Sequence, residues 1–299
     1  MSVCYNTNLK SLVLIHQGKV RDIYEVDDKH MLIITTDRLS AFDVILPTPI
    51  PKKGEILTAV SNLWFKKFES LIPNHLSTIK LENVITDKDE YELLKDRSII
   101  VKKVKALPIE AIVRGYIIGS GWKDYQKNGE ICGIKLQPGL QLAEKLPEAI
   151  YTPSSKAAVG DHDENISFNE TVNLVGKDLA EQIKQVSIQL YSQASEYALE
   201  RGIIIADTKF EFGVDETGQL ILIDEAITPD SSRFWDKSQY KVGVSPNSYD
   251  KQYVRDYLEN LVKEGLWNKE VPGPELPDEI IENTSDKYLS AWNLLKNHY

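Results

Sequence analysis

The stretch 203–225 carries the charged side chains whose spacing could support phosphate and metal chemistry. Alternate residues of a strand point to the same face, so Asp207, Lys209 and Glu211 would share one face. Two apolar runs flank the polar loop 215–218, which ends in a glycine, and this pattern predicts a β-hairpin. Two acids and a lysine on one face could hold a divalent metal and a phosphate chain.

The second strand of this hairpin adds Asp224. We expect Val214 and Gln219 to close the loop as a pair. Lys209 then faces Asp224, and Glu211 lies diagonal to it, about 7–8 Å away. A register shifted by one residue would send Asp224 to the opposite face. A lysine–acid ladder on a solvated sheet face is the alternative, but the flanking apolar runs indicate a buried strand, where charges need partners or a metal.

A second stretch, 107–121, combines an apolar strand with two charges and a glycine turn. Glu110 and Arg114 fall on one face of that strand. The arginine fork, beside the hydroxyl of Ser120 and the amides that its two flanking glycines free, suits a phosphate monoester. An internal Glu110–Arg114 pair with an ordinary glycine turn is the alternative.

Gly18 marks a turn between two short strands, and Lys19 and Arg21 follow it on one face. Such a turn could cover phosphates as a flap, although an ordinary hairpin has the same pattern. The polar run TDRLSAFD at 36–43 predicts either a binding loop or a helix N-terminus.

Two loops contribute further charges. The long loop 151–168 has Lys156 as its only cation and an acidic Asp-His-Asp cluster at 161–163. A loop of this length in a compact domain is typical of a functional or disordered segment. The loop 228–236 places Arg233 near the end of the second hairpin strand.

Helical periodicity predicts a scaffold of helices at 56–71, 169–201, 250–261 and 285–296. Ser167 and Glu170 match a capping box at the start of the long helical region. Gly176 breaks that region, and Gly202 ends it.

Composition limits the classes of function. The 299 residues suffice for two modest domains or one large one. The net charge of −10 argues against a nucleic-acid or membrane-surface partner, so a phosphorylated ligand needs a local cluster of lysines and arginines. The two cysteines have neither zinc-ligand spacing nor a disulfide framework. Without an apolar leader or a membrane-spanning run, the sequence predicts a cytoplasmic protein.

Three motifs resemble those of the SAICAR synthetases, which are phosphoribosylaminoimidazole-succinocarboxamide synthases. These are GKVRDIY at 18–24, LPIEAIVRGYIIGSG at 107–121, and ADTKFEFG at 206–213 followed by DEAITPDSSRFWD at 224–236. Ile118 departs from the Thr or Ala that is usual in the family. The resemblance implies condensation of carboxyaminoimidazole ribonucleotide with L-aspartate, dependent on ATP and Mg²⁺. It further implies the monofunctional fungal-type form and a monomer.

The resemblance also implies a role for each residue singled out above. Two lysines neutralise charge around phosphoryl transfer, and an aspartate lies beside the ribonucleotide. The assignments are Lys209, Asp207 and Lys156 for catalysis; Gly18, Lys19, Arg21, Lys105, Leu107 and Glu110 for ATP; Arg114, Ser120 and Arg233 for the ribonucleotide; and Glu211 and Asp224 for Mg²⁺.

The implied fold is α+β. An N-terminal antiparallel-sheet lobe, residues 1–105, resembles the kinase nucleotide lobe and would cover the nucleotide. Residues 106–299 would form a larger ATP-grasp-like domain with the substrate and metal sites and the C-terminal helices.

Two other functions share parts of this pattern. An inositol-phosphate-type kinase has an Asp-x-Lys signature like that at 207–209, but not the Glu-x-Gly that continues it here. Such a kinase would release a stable phosphorylated product and make no use of aspartate. A non-catalytic purine-nucleotide sensor would bind the nucleotide without turnover.

Overall fold

A computed structural model of the chain describes residues 3–156 and 164–296. In the first third the elements are β1 (Val13–Gln17), β2 (Arg21–Glu25), β3 (His30–Thr35), β4 (Ser40–Ala41), β5 (Val44–Ile45), α1 (Lys53–Lys67), a 3₁₀ turn (Leu81–Asn83), α2 (Lys88–Leu94) and β6 (Ser98–Lys102). Then follow β7 (Lys105–Ala106), β8 (Ile109–Tyr116), α3 (Gly119–Asn128), β9 (Glu130–Ile131), β10 (Ile134–Lys135), β11 (Lys145–Tyr151), β12 (Ser154–Ser155) and β13 (Glu164–Asn165). The last are α4 (Phe168–Val175), α5 (Lys177–Glu200), β14 (Ile203–Val214), β15 (Leu220–Ile223), β16 (Ser232–Asp236), α6 (Gln252–Lys263) and α7 (Asp278–Lys296).

The chain forms two compact units. The first unit comprises Met1–Leu63, His75–Lys103 and Tyr249–Tyr299, and the second comprises Trp64–Asn74 and Val104–Ser248. The change from the first unit to the second after Lys103 falls close to the boundary predicted at 105. The first unit, however, also takes the C-terminal helices, which the sequence-based division gave to the second domain.

The first unit contains a four-stranded antiparallel sheet in the order β1-β2-β3-β6. Apolar residues on one side of this sheet form a core with the segment 79–94. A second core joins the segment after β3 to α6 and to the loop before α7. Its buried members are Leu39, Ala41, Val44, Leu46, Ile50, Val254, Leu258, Trp267 and Leu276. This second core is the physical reason that the C-terminal helices belong to the first unit.

The second unit is built on a sheet whose central strand is the twelve-residue β14. Antiparallel to it run β8 on one side and β15 on the other, and β16 and β7 pair with further parts of the same strand. Helix α5 packs against β14, where Tyr191 Oη donates a hydrogen bond to the carbonyl of Ile205 at 2.7 Å. Because β14 has neighbours on both edges and a helix on one face, it is almost wholly buried.

The predicted start of the long helical region is confirmed. Ser167 caps α4, and the reciprocal bonds between Ser167 and Glu170 complete a capping box. Gly176, with φ +87°, separates α4 from α5. The α+β class and the C-terminal helices are also as predicted. None of the helices in the described ranges is long and apolar enough to span a membrane.

Candidate active site

Antiparallel pairing of β14 with β8 brings the two charged stretches of the sequence together. Asp207 lies opposite Arg114, and Lys209 lies opposite Ile112. Residues directly opposite in a sheet point to the same side. One face of this strand pair therefore carries Asp207, Lys209 and Glu211 of β14. The same face carries Arg114 and Glu110 of β8, which are four residues apart. The alternation of side chains along each strand had predicted both sets.

The predicted register of the β14–β15 hairpin is wrong by one residue. Val214 pairs with Leu220, not with Gln219, and Glu211 pairs with Ile223. The cause is the turn itself, since the carboxylate of Asp215 accepts hydrogen bonds from the amides of Thr217 and Gln219, both at 2.9 Å. The backbone closes the turn on the pair Asp215–Gln219, since Asp215 N donates to Gln219 O at 3.1 Å and Gly218 N, with φ +84°, donates to Asp215 O at 3.0 Å. The loop is therefore the three residues 216–218, one fewer than predicted.

Asp224 nevertheless lies near Glu211. Strand β15 ends at Ile223, and Asp224 adopts φ +61°, a left-handed conformation that interrupts the alternation of side chains. Burial and then the nearby charge of Asp224 raise the pKa of Glu211. The two carboxylates are therefore close enough to repel each other, despite the shifted register.

Lys209 pairs with Glu110, whereas the sequence had predicted that it faces Asp224. Its Nζ lies 2.5 Å from Glu110 Oε1, while Ser154 Oγ donates to Glu110 Oε2 at 3.1 Å. Burial opposes the charged form of Lys209, but the Glu110 carboxylate, assisted by Glu211 and Asp224, outweighs burial and raises the pKa of the ammonium. Lys209 thus remains a cation at neutral pH.

Lys156 forms an ion pair with Glu211. Strand β12 pairs with β8, with Ser154 opposite Glu110, and this pairing carries the following Lys156 to the charged face. The predicted acidic cluster at 161–163 lies outside the described residues.

Asp207 joins two arginines. Its Oδ2 accepts from Arg114 Nη1 at 2.9 Å and also pairs with Arg233. Arg114 is buried, and its remaining nitrogens donate to Thr152 Oγ1 and to Ser120 Oγ, both at 3.0 Å. Burial lowers the pKa of the Arg114 guanidinium, and the charge of Asp207 opposes this shift.

The alternative of an internal Glu110–Arg114 pair is wrong. Residues four apart on a strand are separated by roughly 13 Å, whereas residues opposite each other on neighbouring strands are about 5 Å apart. The arginine therefore pairs across the sheet with Asp207, and Glu110 pairs with Lys209.

The glycines around Ser120 make room for the two guanidinium groups. A Cβ on Gly119, which has φ +62°, would lie 2.2 Å from Arg233 Nη2. A Cβ on Gly121 would lie 3.2 Å from Arg114 Nε. Sequence reasoning expected these glycines to free backbone amides, whereas their observed effect is close approach of the arginines.

Sequence patterns did not identify two polar residues of the site, Thr152 and Ser154. Both are buried, and each contacts a charged side chain of the face. The available signal was their position next to the apolar end of β11, where an unpaired hydroxyl would be costly.

The other predicted nucleotide residues lie on separate elements. In the first unit, Gly18 N donates to Arg21 O at 2.7 Å across the β1–β2 turn, and the exposed Lys19 pairs with Asp43. In the second unit, Lys105 is exposed on β7, and the amide of Leu107 donates to Phe212 O at 2.8 Å. Their predicted contacts with ATP remain predictions.

Glu211 and Asp224 form a two-carboxylate set. Among residues 3–156 and 164–296 there is no group of three or more His, Cys, Asp or Glu side chains that could hold a metal ion. Mg²⁺ is commonly bound through one or two carboxylates together with water and substrate phosphates. The donors fit such an ion, since a cation would offset both the burial and the nearby charge of Asp224, which together raise the pKa of Glu211.

Together the α+β fold and this charged sheet face define an ATP-grasp-like enzyme that acts on phosphate groups. The sequence model of the SAICAR synthetase family matches residues 14–273. The chain belongs to the SAICAR synthetase family.

Individual relatives agree with this assignment. The phosphoribosylaminoimidazole-succinocarboxamide synthase of Thioalkalivibrio sulfidiphilus is 61% identical over 95% of each chain. That of Neisseria meningitidis serogroup C is 56% identical over 95% of this chain and 97% of its own. The SAICAR synthase of Saccharomyces cerevisiae, solved with SAICAR, is 45% identical, with a TM-score of 0.89 and 98% of each chain covered. A Type-2 SAICAR synthetase solved with ADP is 25% identical, with a TM-score of 0.65 and coverage of 87% of this chain and 99% of its own.

Replacing Asp207 by Asn should destabilise the second unit by about 3–5 kcal/mol, because the buried guanidinium of Arg114 loses its countercharge. Urea unfolding at neutral pH measures the change. Arg233→Gln is the matched control, since it removes the half-exposed partner of the same carboxylate and should cost no more than about 1 kcal/mol. Equal losses for the two variants would contradict the assigned importance of the Asp207–Arg114 pair.

Proposed function

We propose that the chain condenses carboxyaminoimidazole ribonucleotide with L-aspartate and consumes ATP, yielding SAICAR, ADP and phosphate through an acyl phosphate. Membership of the family makes it an ATP-dependent ligase of purine biosynthesis and disfavours the inositol-phosphate-type kinase. The observation that carries the detailed proposal is the row Asp207, Lys209 and Glu211 on one partly buried sheet face, with Asp224 near Glu211.

The chemistry requires activation of a carboxylate. An amine cannot displace oxide from the ribonucleotide's carboxylate. Attack of that carboxylate on the γ-phosphorus of ATP breaks the bond to ADP and forms an acyl phosphate. The amine of aspartate then attacks the acyl carbon, and phosphate leaves. Phosphoryl transfer asks the protein chiefly for positioning and charge neutralisation.

Lys209 is suited to the charge on the transferring phosphoryl group. Its ammonium is held by Glu110, whose other oxygen is held by Ser154, so it sits in one place before substrate arrives. Preorganised charge of this kind favours the transition state because little reorganisation is needed during reaction. With both oxygens engaged, Glu110 is better suited to fixing Lys209 than to the predicted contact with ATP.

Glu211 and Asp224 would hold Mg²⁺, which supplies charge neutralisation at the phosphates. Lys156 neutralises Glu211 in the structure. With Glu211 engaged in holding the cation, the Lys156 ammonium would be placed to pair with a phosphate oxygen. The catalytic role proposed for Lys156 rests on this position beside Glu211.

Arg114, Ser120 and Arg233 would bind the anionic groups of the ribonucleotide, beside Asp207. Arg114 is buried, and three side chains hold its guanidinium. Arg233 is half-buried, and its described ion pair is with Asp207. Arg233 and the exposed hydroxyl of Ser120 are therefore the more accessible contacts, and Arg114 fixes both through Asp207 and its own bond to Ser120.

We propose Gly18, Lys19 and Arg21 as contacts for the phosphates of the nucleotide, and the backbone of Lys105 and Leu107 as a contact for its adenine. The Type-2 relative solved with ADP supports nucleotide binding by this fold. We propose a cytoplasmic monomer that resembles the yeast synthase, whose chain is covered to 98%. A distinctly fungal type is not confirmed, because the relatives at 56–61% identity are bacterial.

Release of ADP from ATP and the carboxylated ribonucleotide, followed with and without L-aspartate, tests the proposed reaction. We expect ADP and the succinocarboxamide in equal amounts, and sustained turnover only when aspartate is present. A stable phosphorylated product without aspartate would instead indicate a kinase. Nucleotide binding without any release of ADP would indicate the sensor.

Lys209→Met keeps most of the packing of the side chain and removes its charge. If the ammonium acts on the transition state, kcat should fall by at least about a hundredfold while the Kd for ATP changes little. Steady-state kinetics and nucleotide titration measure the two quantities. Lys145→Met, an exposed lysine of β11, is the control and should behave as the unmodified enzyme. Near-normal kcat in Lys209→Met would reduce this lysine to a structural ion-pair partner.

Glu211→Gln and Asp224→Asn each remove one carboxylate charge with little change of shape. Asparagine tolerates the left-handed backbone of position 224, so both variants should fold. We expect the Mg²⁺ dependence of ADP binding and the turnover to be lost together, as titration with and without Mg²⁺ would show. Glu216→Gln, on the exposed loop of the same hairpin, should change neither. Retained Mg²⁺ dependence in both site variants would place the ion elsewhere.

A further inference from the structure

The carbonyl groups of the β1–β2 turn are held by two residues that follow β3. Arg38 donates from Nη2 to the carbonyl of Gly18 at 3.0 Å and from Nε to that of Lys19 at 3.1 Å. Thr36 donates to the carbonyl of Val20 from its amide at 3.0 Å and from Oγ1 at 2.8 Å. Three consecutive carbonyls of the turn are thus fixed by this neighbouring segment.

The guanidinium of Arg38 is itself fixed. It is 3% exposed and pairs with the fully buried Asp22, with Nη2 2.6 Å from Oδ1. Nη1 donates to the carbonyl of Tyr5 at 2.7 Å and to the second oxygen of Asp22 at 3.4 Å. All five N–H donors of the arginine therefore have acceptors, and the Asp22 carboxylate is further held by Thr7 at 2.6 Å.

Planarity of the peptide converts this hold on carbonyls into an orientation of amides. In a trans peptide the C=O and the following N–H point in opposite directions. Because Arg38 holds the carbonyls of Gly18 and Lys19, the amide N–H groups of Lys19 and Val20 point away from the buried guanidinium. Successive backbone amides directed to one side form an anion-binding concavity.

We propose that Arg38, with Asp22, is a positioning residue that aims the amides of Lys19 and Val20 at the phosphate chain of ATP. The inference rests on the proposed function, which assigns the Gly18–Lys19 turn to those phosphates. A turn fixed before the nucleotide binds avoids the entropic cost of ordering on binding. The run TDRLSAFD, predicted as a binding loop or a helix N-terminus, acts on the ligand through the turn that it holds.

A general stabilising role is the competing explanation for Arg38. Buried ion pairs often add little net stability because their desolvation offsets their attraction. Arg97 provides a matched comparison in the same unit, since it is 1% exposed and pairs with Asp37 and Glu55. It donates to the carbonyl of Leu93 and makes no described contact with the turn.

Arg38→Lys and Arg97→Lys are therefore compared for thermal unfolding and for affinity towards ADP and adenosine. Lysine keeps the charge beside each carboxylate but cannot reach the spread of acceptors that arginine bridges. Both variants should unfold at lower temperature. Arg38→Lys alone should lose affinity for ADP, on the order of tenfold, while its affinity for adenosine stays within about twofold of the unmodified enzyme.

A folded Arg38→Lys with the unmodified ratio of ADP to adenosine affinity would overturn the proposal, as would an equal change of that ratio in Arg97→Lys. If Arg38→Lys does not fold, amide hydrogen exchange of the unmodified enzyme decides.

Amide hydrogen exchange of the unmodified enzyme gives a direct readout. ADP should slow exchange at Lys19 and Val20, and adenosine should not. Absence of protection by ADP would refute the positioning role even if SAICAR is formed. Protection by ADP in an enzyme that forms no SAICAR would refute the ligase reaction and leave the positioning role in place.

Discussion

Pairing of charges on the buried face of β14 is the constraint on which the site depends. A carboxylate or ammonium in a sheet interior loses several kcal/mol of hydration unless a partner lies within reach. Asp207, Lys209 and Glu211 each meet this requirement with a partner from another strand or loop. The partners Arg114 and Glu110 belong to β8, so the antiparallel register of β14 and β8 assembles most of the face in one step.

In the proposed reaction, the same pairings would provide the preorganisation that phosphoryl transfer requires. Lys209 is fixed through Glu110 and Ser154, and Ser120 is fixed through Arg114. In the first unit, Arg38 fixes the glycine turn in an analogous way, with a saturated guanidinium that acts on backbone groups. A buried arginine with more donors than one carboxylate can accept recurs at both places, and its surplus donors hold the residues next to it.

Local pattern predicted which residues share a face, but not which of them touch. The period of two placed Asp207, Lys209 and Glu211 together, and the structure agrees. The predicted hairpin register was wrong because the carboxylate of Asp215 accepts amide hydrogen bonds, one of them from Gln219, and the turn closes on the pair Asp215–Gln219. The pairings Lys209–Glu110 and Arg114–Asp207 depend on the order of strands in the sheet. That order is set by long-range packing, which periodicity along the chain does not encode.

The C-terminal helices illustrate the same limit, since their apolar stripes predict helices without naming the surface on which these pack. They pack against Leu39, Leu46 and Ile50, which lie more than 200 positions earlier in the chain.

This arrangement bears on how the chain folds during synthesis. All of Val104–Ser248, with β14 and its charged face, can leave the ribosome and fold once residue 248 has emerged, since it needs from elsewhere only the earlier segment Trp64–Asn74. The core around Leu39 and Leu46 includes Trp267 and Leu276. The core around Leu39 and Leu46 is therefore completed only after the whole of the second unit has been synthesised, and until then the apolar side chains of this one core lack their partners.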